Sequence, residues 1–363
     1  MTSKMLRAWY CVSSRSLALV LAALLCAGTA LAATFPNLYR VTVPPDAAAS
    51  DQRAAAEKAA FARLLVRITG NRGAATDPQL LPLIGDARSY ESSYGLDRQG
   101  RPQVGFFPAR VDQALTTLNY PVCGAERPLT LVWIAADDGA GGRGMLSANE
   151  LATGLTPATV ELLTMIRTEL TAVSDERGLP LALPLLDLED LNAVTFTDVW
   201  GGFDDRIGLA SARYRADAVL IGRVRPGVIG HDVEWLLLRD GVRQSLPGTG
   251  LRDGIDSVAD LFATELCTVG GASLTRLTVL DVVTSADYGR VLSYLETLSV
   301  LQSVDVDSIE GGVLSLRVAA RGDARVIERV LALGGVLSPD GGPAPVAGGA
   351  SLVFRISRSG TSR

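Results

Sequence analysis

The chain has 363 residues, with 34 Lys and Arg against 39 Asp and Glu, and a formal charge of −5. That acidic balance disfavours nucleic acid and anionic lipid as partners, since both are held by clustered cations. The length exceeds what one hydrophobic core serves, so several domains are expected.

Residues 1–32 read as a signal peptide. Lys4, Arg7 and Arg15 make a positive start, and no acidic residue falls within the segment. The apolar run from Leu17 to Leu25 is shorter than the roughly 20 residues a bilayer span needs. Ala30-Leu31-Ala32 then supplies the small-x-small pattern for cleavage after Ala32. The expectation is a periplasmic protein with no transmembrane span in its mature chain. Lipid anchoring through Cys26 is the alternative, weakened by the bulky Leu25 before it. Without the leader, 31 basic residues face 39 acidic ones, a net charge of −8.

Residues 33–128 are expected to form an α+β domain. Tyr39–Val43 reads as a strand. Asp51–Ile68 reads as a helix with Phe61, Leu64, Leu65 and Ile68 on one face, ended by Gly70-Asn71. Strands around Tyr90–Leu96 and Gln103–Phe107 follow, joined by a turn carrying Gly100 and Pro102, and then a helix near Ala109–Leu118.

Residues 129–270 read as an α/β segment with a partly parallel sheet. Leu129–Ala135 is a near-continuous apolar strand. Thr156-Pro157 opens a helix with Val160, Leu163, Ile166, Leu170 and Val173 inward. Leu181–Leu186 returns as a parallel strand. A helix near Asp204–Tyr214, strands at Ala218–Val224 and Val233–Leu238, the turn Asp240-Gly241 and a helix from about Ser257 to Cys267 complete it.

Residues 271–358 carry a βαββαβ, ferredoxin-like order. Leu277–Val283 is the first strand, and Ser285 caps a helix with Tyr288, Val291, Leu292, Leu295 and Leu298 inward. Val304 and Val306 alternate with Asp305 and Asp307, Gly311-Gly312 turns the chain, and Leu314, Leu316 and Val318 alternate after it. Asp323 caps a helix with Val326, Ile327, Val330 and Leu331 inward, and Leu352, Phe354 and Ile356 mark the last strand. The fold class is therefore α/β and α+β. The mature cysteines, Cys123 and Cys267, are either bridged across a long loop or two separate thiols.

Five carboxylates are candidates for a hard-cation site. Asp137 and Asp138 stand just beyond one parallel strand; Asp187, Glu189 and Asp190 stand just beyond its neighbour. Ligands of open α/β sheets gather at such ends, and oxygen donors suit Mg²⁺ and Ca²⁺. The plainer expectation is that they cap helices and solvate loops. Trp200 and Phe203 flank Gly201-Gly202 as a possible binding rim, set against a plug beneath a loop. Gly139-Ala140-Gly141-Gly142-Arg143-Gly144 fits G-x-G-x-x-G, yet no helix opens at its last glycine, and the two preceding aspartates would repel a phosphate. A surface loop is expected there. His231, the chain's one histidine, stands at an expected turn, with no G-x-S-x-G elbow elsewhere and no His/Cys ligand set. No catalytic residue and no cofactor is nominated.

Several short motifs carry a resemblance: Leu65-Val66-Arg67-Ile68-Thr69-Gly70-Asn71, Gly124-Ala125-Glu126-Arg127-Pro128-Leu129, Trp133, Asp187-Leu188-Glu189-Asp190 and Asp198-Val199-Trp200-Gly201-Gly202-Phe203. Together they resemble the exported bacterial family catalogued as domain of unknown function 2066, which implies export and supplies no catalytic residues. In element order the middle segment is also loosely similar to envelope-assembly modules such as the amino-terminal domain of the translocation protein TolB, at the level of fold alone. The expected function is a non-catalytic binding or envelope-assembly protein whose partner is another envelope protein. The alternative is a metal-dependent enzyme or regulator using the acidic loops.

Overall fold

The structure, a computed structural model, describes residues 35, 37–149, 154–228, 230–341, 344–346 and 349–357. The leader expected at 1–32, with Cys26, lies outside them. The fold is mixed α/β and α+β, with three separate sheets among the described residues.

The first sheet is antiparallel in the order β1-β3-β2, from Arg40–Thr42, Pro102–Phe106 and Glu91–Leu96. Helix α1 (Gln52–Thr69) packs on it. Asp51 caps its start by accepting from Ala54 N–H, and Gly70 ends it at φ 68°, a left-handed position that suits glycine. Phe61, Leu64, Leu65 and Ile68 are all buried, with the Phe61 ring 5.0 Å from that of Tyr90 and 5.1 Å from that of Phe106. Two one-turn helices, α2 (Leu81–Gly85) and α3 (Ala87–Tyr90), precede β2, and α4 (Pro108–Thr117) follows β3. The one-turn helices are too short to show a period, which is why no pattern marks them.

The central sheet runs β5-β4-β7-β8-β9, with a short β6 beside β4. Its strands are Thr130–Asp137 (β4), Arg143–Met145 (β5), Leu181–Ala182 (β6), Ala218–Pro226 (β7), His231–Arg239 (β8) and Val242–Ser245 (β9). β4 is parallel to both β6 and β7. The strand expected over Leu181–Leu186 stops after two residues, because Pro184 has no N–H to continue the ladder. Helices α5 (Pro157–Arg177) and α9 (Asp253–Leu266) lie on one face; α6 (Leu188–Ala193), α7 (Phe196–Gly201) and α8 (Asp204–Ser211) lie on the other. β4 is therefore buried on both sides: Val132, Ile134 and Ala136 join one core, and Leu131, Trp133 and Ala135 the other. On α5, Val160 is exposed rather than inward. Thr159 takes the buried position, its hydroxyl bonded to Asp138. α9 begins at Asp253, ahead of the expected Ser257.

The third sheet runs β11-β12-β10-β15-β13. It uses Ala272–Leu280 (β10), Leu301–Glu310 (β11), Val313–Arg321 (β12), Leu337–Pro339 (β13), Ala344–Val346 (β14) and Gly349–Ile356 (β15), with helices α10 (Ser285–Thr297) and α11 (Ala324–Leu333). The βαββαβ order is present with two added strands, β14 and β15, after it. β13 takes the return direction after α11, so β15 runs parallel to β10 instead of antiparallel. Thr284, not Ser285, caps α10, in a reciprocal box with Asp287. Tyr294 is buried although no stripe marked it; its hydroxyl donates to the Leu331 carbonyl and accepts from Gly334 N–H.

A polar junction joins the first sheet to the second. Arg67, at the end of α1, donates to the carbonyls of Leu38, Arg40 and Asp175 and pairs with the Asp175 carboxylate. Arg127 donates to the carbonyls of Arg67 and Gly124. Arg177, the last residue of α5, donates to the Gly70 carbonyl and pairs with Asp256 and Asp260. Burial lowers the pKa of Arg67 and brings that of Arg127 down to about 10. Cys123 and Cys267 close a disulfide here, settling the question the spacing left open.

Candidate functional site

The five candidate carboxylates fall into two groups that share no hydrogen bond or ion pair among the described residues. Asp137 accepts from Gly139 N–H and pairs with Arg143. Asp138 accepts from Ala140 and Gly142 N–H through one oxygen, and from the hydroxyls of Thr156 and Thr159 through the other. Four donors leave this carboxylate little capacity for a further ligand. Chiefly through the Thr159 hydroxyl, its pKa is held down to about 2. The glycine-rich loop thus folds around a carboxylate of its own at the start of α5, where a phosphate would otherwise stand.

The second group is neutralised from within. Asp187 caps α6 and is held by Arg213 at 2.8 and 2.9 Å, which takes its pKa down to about 2. Asp190 is buried, accepts from Leu186 N–H and the Tyr214 hydroxyl, and pairs with Arg213 at 3.1 Å. Glu189 stands 3.5 Å from the same guanidinium. Desolvation, with the bond to Asp190, pushes Tyr214 up to about 12. Among the described residues, no group of three or more His, Cys, Asp or Glu is placed to hold a metal ion.

Asp138 gives these loops a measurable pH dependence. Its folded-state pKa lies below the ordinary 3.8, so its contribution to stability is complete above about 4 and is lost as pH falls through about 2. Asp138→Asn is expected to flatten the fall in urea midpoint across that window. Parallel slopes for variant and parent would refute the assignment.

Trp200 and Phe203 differ in exposure. Trp200 is half-buried and stacked on Phe196, with ring centroids 5.4 Å apart. Phe203 is 53% exposed, just after the α7 cap at Gly202, where φ is 66°. His231 opens β8, opposite Pro226.

A larger feature was not legible as a motif. Between α8 and the β8–β9 hairpin runs a trough of about 950 Å³, reaching Leu333 of α11. Val219, Leu238 and Ala216 contribute to its lining, and Leu209 rises from α8 78% exposed. Asp204, Asp205, Asp217 and Asp240 also line it. The usable signal is local: on α8, Ile207 and Ala210 face the core, so Leu209 is an apolar residue off the buried stripe.

Several of the short motifs prove to hold helix caps, with Gly70 ending α1, Asp187 starting α6, Asp198 in the box that opens α7 and Gly202 ending it, while Trp133 is a core side chain of β4. Such elements recur wherever helices begin and end, which is why they point to the wrong family. The family model that matches is a different one from domain of unknown function 2066, and it leaves everything after Gly124 unmatched. No curated protein and no solved structure matches the chain. Over residues 32–124, which carry the first sheet and its helices, the chain is similar to the family described as Domain of unknown function (DUF8605).

Proposed function

We propose that the protein is an exported, periplasmic binding or assembly component of the cell envelope without chemistry of its own. The observation that carries this reading is the disulfide between Cys123 and Cys267. Such bonds persist in oxidising compartments and are rare in a reducing cytosol. The positive, then apolar, then small-residue order of residues 1–32 agrees with it. The acidic loops favour binding over metal chemistry, since Arg143, Arg213 and nearby hydroxyl and amide donors already occupy the carboxylates. A cation would have to displace these donors.

Fractionation of the natural source with intact-mass measurement tests the export reading. The expected species starts at Ala33, carries no acyl group and has its cysteines oxidised. A cytosolic species retaining Met1 refutes it. Isothermal titration with Mg²⁺ and Ca²⁺ should give no saturable heat. Saturable binding, lost in Asp137→Ala/Asp187→Ala, would put the metal-dependent reading in its place.

A further inference from the structure

We propose that the trough between α8 and the β8–β9 hairpin docks a basic amphipathic segment of a partner protein. The inference rests on the envelope-binding reading and names the chemistry of what is bound. The apolar half of the argument is Leu209, 78% exposed above a lining that includes Val219 and Leu238. An amphipathic segment supplies an apolar stripe that covers Leu209 and reaches the lining beneath it.

The charge half is independent of it. The trough has four aspartates and two arginines in its lining, and both arginines are already engaged. Arg243 pairs with Asp204 at 3.1 Å; Arg239 pairs with Glu265 at 2.8 Å and lies 3.5 Å from Asp240. Asp205 makes no ion pair among the described residues, and Asp204 Oδ1 is buried without a hydrogen-bond partner. Asp217 accepts from Leu129 N–H; desolvation raises its pKa, offset in part by that bond and by the charge of Arg239. Four carboxylates against two arginines, beside an exposed leucine, select cations carried on an apolar backbone. Anionic lipid and nucleic acid are repelled, and a second copy of this acidic chain brings the wrong sign.

The probe is a synthetic helix of about 15 residues patterned from leucine and lysine, with a leucine–glutamate counterpart, titrated into the oxidised mature protein by fluorescence anisotropy. Saturable binding of the lysine peptide alone is expected, weakening as salt rises. Leu209→Asp should weaken it about tenfold and Asp205→Arg about fivefold, as for an apolar anchor and a rim charge. Both side chains are exposed, so the variants should fold. Glu310→Lys, on the exposed edge of β11, should leave affinity unchanged.

Equal binding of both peptides, unchanged affinity in both trough variants, or an equal loss in Glu310→Lys would overturn the proposal. So would self-association of the parent protein that Leu209→Asp abolishes, since the occupant would then be a second copy. These outcomes are separate from the export test: a cytosolic product with Met1 refutes the envelope reading whatever the peptides do.

Discussion

Replacing Cys123 and Cys267 together by alanine is expected to lower the unfolding free energy by on the order of 5 kcal/mol. The two residues are 144 positions apart, and closing so long a loop removes much conformational freedom from the unfolded chain. Val122 and Thr268 exchange two backbone hydrogen bonds beside the bridge, at 2.8 and 3.0 Å. The native geometry therefore has support of its own, and the double variant should fold to the same structure. Its loss should come mostly from the unfolded state, which also predicts a steeper denaturant dependence as the unlinked chain expands. Urea unfolding of oxidised parent and double variant measures both. A loss below about 1 kcal/mol would mean that the bond constrains little of the unfolded ensemble.

The sequence made legible whatever depends on one period or one cap. The α1 stripe and its Gly70 stop, the Thr156-Pro157 start of α5 and the continuous apolar β4 all follow from spacing. Residues decided by one specific partner do not show in the spacing. Val160 stands one place off the α5 stripe, whose first buried position is Thr159, with its hydroxyl on Asp138. Ser285 is a fair cap by type, yet Asp287 can reciprocate only with Thr284. The direction of β15 depends on β13, a three-residue strand with no pattern to read. The acidic loops look like open ligand sets in sequence because Arg213 and Thr159, which saturate them, lie 23 and 21 positions from Asp190 and Asp138. The trough was hidden for the same reason, since Leu209, Leu238 and Leu333 meet only in the folded chain.

Arg177→Ala is expected to cost about 3 kcal/mol, the next largest loss after the disulfide. The Arg177 side chain is 0% exposed and reaches Asp256 at 3.0 Å, Asp260 at 2.6 Å and the Gly70 carbonyl at 2.8 Å. Truncation strands Asp256, whose own side chain is 8% exposed. The remaining cations, Arg252 at 3.8 Å and Arg72 at 3.9 Å, are too far for good hydrogen bonds and keep the cost near the lower end of the range for a broken buried pair. Asp260 is more exposed and can be rehydrated. If the stranded charge causes the loss, removing it should restore stability: Arg177→Met/Asp256→Leu should recover at least about half of what Arg177→Ala loses. Arg177→Lys should fall between, since one ammonium cannot copy the guanidinium fork that spans two carboxylates and a carbonyl. Guanidinium midpoints for these variants, with Arg177→Met and Asp256→Leu each alone, complete the cycle. Strict additivity would show that Arg177 acts by filling space, and the junction between the first two sheets would then be held by packing and the disulfide rather than by paired charge.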